Sequence, residues 1–311
     1  MKWVFLHQPA WQTTFPRLIE PLPDEWLASL LLRCDEVNTW GSGTTCAALQ
    51  RVHPNKSRWQ TTNMICPPED PLSTLAEWLA VPLTTILATT YRQELIPLFG
   101  FAHLSSKRLA PSFRFRICPQ CLRQRRYLRR TLVFPQLQSC PEHQLLLLAT
   151  CQCGASLRLI TQGAQPFACH ACGLDWGKLP RIPASQELSR LQQTYLSHYA
   201  LFLSNGASSE LIKHVLRIIG ARLRELYGEE AFWKQVEACG KLGEHTSHTD
   251  EYMAYCSLSA LVSALVYFHI SSRDILASLA PLTRRSSNPG NVYYHTVAEM
   301  IANLPVSDIS Q

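Results

Sequence analysis

The sequence predicts a mainly α-helical protein interrupted near its middle by small metal-stapled ribbons, and three observations carry that expectation. Apolar residues recur at three-to-four spacing on both sides of the central region, the period of a helix with one buried face. Seven of the 12 cysteines fall between Cys118 and Cys172, six of them in three closely spaced pairs and Cys140 three positions before His143. The 311 residues are 46% hydrophobic and 17% charged, with 20 prolines and 13 glycines, which excludes collagenous, coiled-coil and wholly disordered classes.

In chain order, Pro21 to Trp40 opens with Pro-Leu-Pro-Asp, where the Asp24 carboxylate is placed to accept from the first free amides of a helix. Trp26, Leu27, Leu30 and Leu31 then repeat as one amphipathic helix. A shorter helix is expected from Thr45 to Arg51, then a polar, proline-bearing loop through Asp70. Leu75, Trp78 and Leu79 mark another short helix, Ile86, Leu87 and Tyr91 a further one, and Val81-Pro82 forces a corner between them. Two short helices across a tight turn fit a helix-turn-helix and fit a plain helical hairpin equally. Thr84, Thr85, Thr89, Thr90, Arg92 and Gln93 could donate to DNA, yet only one is cationic and Glu94 follows. Phosphate attraction supplies much of DNA affinity, so a protein contact suits this helix as well.

The central spacing is Cys118-Pro-Gln-Cys121, then Cys140-Pro-Glu-His143, then Cys151-Gln-Cys153, then Cys169-His-Ala-Cys172. Each short loop closes two donors with little loss of chain entropy, which makes half of a tetrahedral zinc site. Pairing neighbouring halves gives three thiolates and an imidazole from Cys118, Cys121, Cys140 and His143, and four thiolates from Cys151, Cys153, Cys169 and Cys172. An interleaved pairing of Cys118 and Cys121 with Cys151 and Cys153 stays open, and His170 competes with His143 as the imidazole. Two full tetrahedra leave no position for a reacting water, so two structural zinc ions are expected. Such binding is worth about 10–16 kcal/mol, enough to staple a region of modest aliphatic content. Cys34, Cys46, Cys66, Cys239 and Cys256 stand singly and read as small core residues.

The net charge of +6 is unevenly placed. Between Glu94 and Glu142 there is no carboxylate but nine cations, Lys107, Arg108, Arg114, Arg116, Arg123, Arg125, Arg126, Arg129 and Arg130, leaving the rest of the chain at −3. Guanidinium forks suit phosphate geometry, and Tyr127 and Phe134 lie among them, so Arg114, Arg116, Arg123, Arg125, Arg126, Arg129 and Arg130 are candidate contacts to a nucleic-acid backbone. A solvated face or a patch for an acidic protein is the competing reading.

Pro180 to Ser185 reads as a linker, and Glu187–Ser204, Ser209–Tyr227 and Leu258–His269 as helices. Ser271 with Asp274 forms a capping box for one more, and Glu244–Asp250 is a polar loop. Residues 252–272 carry no charge, but Ser257, Ser259, Ser263, His269 and Ser271 interrupt them, so a buried helix is expected and no membrane span. The apolar run Trp3–Leu6 is too short for a secretion signal, which predicts a cytoplasmic, nucleoid-associated protein. Enzyme motifs are missing. No His-x-Glu precedes a deaminase-type cysteine pair, Gly41-Ser-Gly-Thr-Thr lacks the lysine of a phosphate loop, and no spacing recommends a nuclease carboxylate cluster.

Pro21-Leu-Pro-Asp-Glu-Trp-Leu-Ala-Ser-Leu-Leu-Leu-Arg33, with Arg116-Ile-Cys-Pro-Gln-Cys121, Cys140-Pro-Glu-His143 and Cys151-Gln-Cys-Gly154, resembles the TniQ/TnsD family of transposition proteins. The likeness covers roughly residues 20–180. It implies a mainly α fold with small zinc ribbons: an N-terminal arm over 1–20, a helix-turn-helix domain over 21–105, tandem zinc ribbons over 106–180 holding the eight donors, and a helical C-terminal domain over 181–311. It implies a non-catalytic target selector that recruits the AAA+ regulator TnsC, and through it the transposase. Some members read an attachment site on DNA directly, and others dock on an RNA-guided CRISPR effector such as Cascade. Direct readers tend to be longer, so 311 residues and a net charge of −2 over residues 191–311 favour the docking branch. The resemblance further suggests that an aromatic arm with Trp3, Phe5, Trp11 and Phe15 touches the regulator, and leaves a homodimer open. The runner-up is a sequence-specific DNA-binding selector or helix-turn-helix transcription factor.

Overall fold

The computed structural model describes residues 15–54, 64–99 and 115–204, together with Leu258, Val262, Leu265 and Val266. Two compact units alternate along the chain. The first draws on the stretch up to Tyr91, Pro119–Arg130 and Leu148–Pro180, the second on Arg92–Cys118, Thr131–Leu147 and the stretch from Arg181 onward. Among the described residues helices dominate, and extended chain makes only isolated bridges such as Ser139 with Leu146 and Thr150 with Ser156.

At the centre of the first unit lies α1 (Leu27–Val37), eight of whose 11 residues are buried. It is therefore enclosed on nearly every side, where the sequence pattern indicates a single apolar face. Backbone from distant segments does the enclosing: the amide of Trp26 donates to the Leu128 carbonyl at 2.9 Å and that of Leu27 to Thr89 at 2.8 Å. These carbonyls occupy the helix entrance, so Asp24 does not cap it. Asp24 instead adopts a left-handed φ of 57°. The neighbouring Glu25 turns inward, accepts from the Leu22 amide and the Ser29 hydroxyl at 2.9 Å each, and pairs with Arg33 at 2.6 Å. Burial pushes its carboxyl above the usual glutamate range.

Asp35, near the end of α1, organises the start of α2 (Thr44–Val52). Its buried carboxylate accepts from the Gly43 amide at 2.7 Å, the Thr45 amide at 2.8 Å and the Thr45 hydroxyl at 2.6 Å, satisfying donors that a helix start leaves unpaired. Gly43 holds φ +86°, which lets the loop reach Asp35 and lie against residues 160–164. There the amide of Ser42 donates to the Ala164 carbonyl at 2.7 Å. Gly41-Ser-Gly is thus a packing turn.

α3 (Glu69–Leu79) begins after Pro68 with two carboxylates in its first turn and stops where Ala80 adopts φ 53°. Pro82 then opens α4 (Leu83–Leu87). The corner at Val81-Pro82 is present, but α4 is only five residues long, because the hydroxyls of Thr89 and Thr90 bond back to the Ile86 and Leu87 carbonyls and the chain turns away. Both threonines are buried, and so are not among the side chains offered to a groove. Tyr91 lies beyond α4, its amide bonded to the Ile65 carbonyl at 2.8 Å.

Phe15 is also internal. Its ring meets Trp40 and Trp78 edge-on at 5.5 and 5.6 Å, and it is 9% exposed, so it is unavailable to a partner; Trp3, Phe5 and Trp11 lie outside the described residues.

The second unit contains α5 (Arg92–Phe99), a hairpin-like turn over residues 138–147, and α7 (Gln186–Ser204); α6 (Pro119–Arg125) belongs to the first. Tyr199 of α7 stacks on Phe134 with centroids 4.0 Å apart and planes within 5°, and its hydroxyl donates to Gln136 at 2.5 Å. The stretch read as a linker is paired chain: the Leu146 amide donates to the Ile182 carbonyl and the Ala184 amide to Gln144, each at 2.8 Å. Two prolines suit this edge position, where no further amide is required. Leu258, Val262, Leu265 and Val266 are helical and buried. The helix expected over 209–227, the polar loop over 244–250, the capping box at Ser271, Cys239 and Cys256 lie outside the described residues, as does the rest of the uncharged 252–272 run. Among the described residues no helix is long and apolar enough to cross a membrane.

Candidate metal centres

Cys118 follows the buried Ile117, Pro119 begins α6, and Cys121 falls on its first turn. Proline suits this first helical position because its missing N–H would have no partner there. Nineteen residues after Cys121, the Cys140 amide donates to the Leu145 carbonyl at 2.7 Å and the Gln144 amide back to the Cys140 carbonyl at 2.9 Å, a tight turn completed by Gln144 at φ 52°. That turn projects Cys140 Sγ and His143 Nδ1 to the same side. The donor atoms of Cys118, Cys121, Cys140 and His143 all lie within 4.8 Å of one another.

The second set is built on two turns, each ending at a glycine of positive φ. The Gly154 amide donates to the Cys151 carbonyl three positions back at 2.9 Å, and the Gly173 amide to the Cys169 carbonyl four positions back at 2.8 Å. The bridge between Ala168 and Asp175 frames the second turn. Cys151, Cys153, Cys169 and Cys172 bring their sulfurs within 4.8 Å of one another. Burial pushes the Cys151 thiol up to about 12. At Cys169 burial acts in the same direction, but amide hydrogens of Cys172 and Ala171 aimed at the sulfur prevail and hold it at about 7.

The geometry fits a tetrahedral ion. Bonds of about 2.3 Å to thiolate and about 2.0–2.1 Å to imidazole set the edges of such a tetrahedron at roughly 3.8 Å between sulfurs and roughly 3.6 Å from sulfur to nitrogen. The Cys151–Cys172 and Cys153–Cys169 sulfurs stand 3.7 Å apart, and His143 Nδ1 lies 3.6 Å from Cys118 Sγ and 3.5 Å from Cys140 Sγ. The pairing is sequential; the interleaved alternative is not formed, and His170 joins neither set. No disulfide joins the cysteines of either set, and Cys34, Cys46 and Cys66 are buried in the core outside both sets, likewise in no disulfide. Burial raises the Cys34 and Cys46 thiols well above their usual range, so both are inert core groups.

The arginines divide by what they face. Arg126, at φ 54°, pairs with Glu36 at 2.7 Å and Asp175 at 2.5 Å and lies over the Phe167 ring at 5.2 Å, tying α6 to α1 and to the second metal turn. Arg130 donates through its backbone amide to Asp24 O at 2.8 Å and through its guanidinium to the Thr90 carbonyl, and covers the Tyr91 ring at 4.7 Å. Arg129 faces the Asp24 carboxylate at 3.8 Å and the Tyr127 ring at 5.9 Å. In the second unit Arg116 donates to the carbonyls of Leu137 at 2.5 Å and Pro135 at 3.0 Å. Arg123 and Arg125 are exposed on α6, and Arg114 lies outside the described residues.

Glu36, Asp175 and Asp24, the carboxylates that hold these arginines, have no local sequence signal, since Glu36 is 90 positions from Arg126 and Asp175 is 49. Lys178 was missed as well. It is exposed one residue after Gly177, whose Cα hydrogen faces the Arg123 backbone so closely that a Cβ there would lie 3.3 Å from the Arg123 nitrogen.

Residues 16–147 match the family model described as TniQ, a span that takes in the first donor set and stops before the second. No curated protein matches the chain.

Proposed function

We propose that this member of the TniQ family, whose residues 16–147 form the family's domain, is a non-catalytic target-selection adaptor of DNA transposition in the cytoplasm. The domain implies a transposition-associated role in choosing a target; the finer reading is that the chain links an RNA-guided effector such as Cascade to the AAA+ regulator TnsC and so brings in the transposase. The observation that supports an adaptor over an enzyme is the pair of complete four-donor sets, each at tetrahedral spacing. Occupied by zinc, each set has no position left for a reacting water, and the metal supplies rigidity.

Zinc would be held by Cys118, Cys121, Cys140 and His143 in one ribbon and by Cys151, Cys153, Cys169 and Cys172 in the other. The residues around them do the positioning. Asp175 and Glu36 neutralise Arg126, Asp24 faces Arg129 and Arg130, Arg123 and Arg125 are exposed on α6, and Lys178 is exposed next to Gly177, which lies against the Arg123 backbone. These exposed cations make salt-sensitive contacts to a nucleic-acid backbone that carry no sequence information. Arg114, which precedes the first ribbon in sequence, belongs to the same proposal, whereas the Arg116 guanidinium is held by the Leu137 and Pro135 carbonyls.

The zinc-loaded protein should co-purify with a TnsC-type regulator and with a Cascade-type effector, and should bind random and attachment-site duplexes within a few-fold of each other. A preference of about a hundredfold or more for one sequence would overturn the adaptor reading in favour of a direct DNA-binding selector.

A further inference from the structure

We propose that the second ribbon is a thiol-redox site, at which hydroperoxides oxidise Cys153 and Cys172 and release its metal while the first ribbon keeps its own. The inference rests on the zinc reading given above and adds a chemical asymmetry between the two ribbons. In the first set Cys118, Cys121 and Cys140 are 0%, 4% and 1% exposed, and the fourth donor is an imidazole, which forms no disulfide. In the second all four donors are sulfur, and Cys153 and Cys172 are exposed. Thiolates react with peroxide in proportion to their access and thiolate character, so the second ribbon offers two reactive sulfurs where the first offers none at the surface.

Each exposed sulfur also has a buried partner within reach, Cys172 with Cys151 and Cys153 with Cys169, both at 3.7 Å. Attack of an exposed thiolate on the peroxide forms an S–O bond, breaks the O–O bond and gives a sulfenic acid and hydroxide. The neighbouring thiolate then attacks that sulfur, forming the disulfide and expelling a second hydroxide. Two thiolates lose two electrons in all and the peroxide gains them. The ion, left with two thiolates, departs.

The consequence reaches the arginines. Asp175, which holds Arg126 at 2.5 Å, is bridged to Ala168 across the Cys169–Cys172 turn, and Gly177 follows against the Arg123 backbone. Loss of the second ion therefore loosens the support under α6 and its exposed cations.

Elemental analysis of anaerobically purified protein comes first: fewer than two zinc ions per chain refutes the metal reading itself. Protein carrying two is then treated with hydrogen peroxide, with released zinc followed by a chromogenic chelator and surviving thiols alkylated and mapped by mass spectrometry. One ion should leave at least about tenfold faster than the other, given the difference in sulfur access. Its loss should coincide with Cys151–Cys172 or Cys153–Cys169 disulfides, while Cys118, Cys121 and Cys140 remain alkylatable after denaturation. Release of both ions at one rate, earlier release from the first ribbon, or oxidation that spares Cys153 and Cys172 would overturn the proposal. These readouts use the unmodified protein and do not depend on a variant that folds.

Discussion

Replacing Arg126 by alanine separates an internal role for this guanidinium from a nucleic-acid role. The side chain is 32% exposed, its partners Glu36 and Asp175 32% and 26%, so each ion pair is worth at most about 1 kcal/mol after solvent screening. The cation lying 5.2 Å from the Phe167 ring centre adds about 0.5–1 kcal/mol. Arg126→Ala should thus cost about 1–3 kcal/mol, a fall in Tm of roughly 3–10 °C by differential scanning fluorimetry. Arg126→Gly should be about 1 kcal/mol less harmful than Arg126→Ala, because glycine accepts the left-handed φ of 54° without the Cβ penalty. Arg123→Ala should leave stability within about 0.5 kcal/mol while lowering the salt dependence of duplex binding by about one phosphate contact. The reasoning is refuted if Arg126→Ala melts like the parent protein and reduces the salt slope as Arg123→Ala does, since its guanidinium would then face phosphate and not Glu36 and Asp175.

Two further outcomes follow from buried groups near α2. Burial raises the Asp35 carboxyl above its ordinary value of 3.8, although Thr45 and Gly43 donate to it. The folded state therefore takes up this proton before the unfolded chain does; the contribution grows as pH falls from neutral through the raised value and is complete below 3.8. The stability difference between the parent and Asp35→Ala, which should be about 2–3 kcal/mol at neutral pH from three stranded donors, should widen on acidification in paired denaturant titrations; a difference that narrows would contradict the assignment. Gly43→Ala would place a Cβ 2.8 Å from Ile160 Cγ2 at φ +86°, costing about 2–3 kcal/mol. Gly163→Ala, at φ +79° with nothing within 4 Å, should cost only about 1 kcal/mol, and equal denaturation midpoints for the two would show that the close approach to Ile160 is not felt.

What could be read from the sequence was short-range. The eight donors follow from spacings of two or three positions within turns, while the choice between sequential and interleaved grouping is made by the structure, which assembles the two sequential sets. Helix positions at Leu27, Thr45, Leu75 and Glu187 were likewise visible, because period and proline placement are local signals. Misreadings came from partners far along the chain. Asp24 has the residue type of a cap, but carbonyls of Thr89 and Leu128 take the amides at the entrance of α1. α1 has an amphipathic pattern, yet distant segments also cover its polar positions Ser29 and Asp35. A run of arginines reads as one cationic strip until Glu36, Asp24 and Asp175 arrive from elsewhere to divide it. Composition cannot show which charges have been claimed by the fold.

The pairing of residues 182–184 with 144–146 bears on how the protein can be cut for expression. A fragment ended at the proline-rich stretch would sever that pairing and remove α7, uncovering the aromatic face of Phe134 that Tyr199 stacks upon. Such a piece would tend to precipitate from solution despite retaining every sulfur ligand, whereas one carried through Ser204 would keep its own lid.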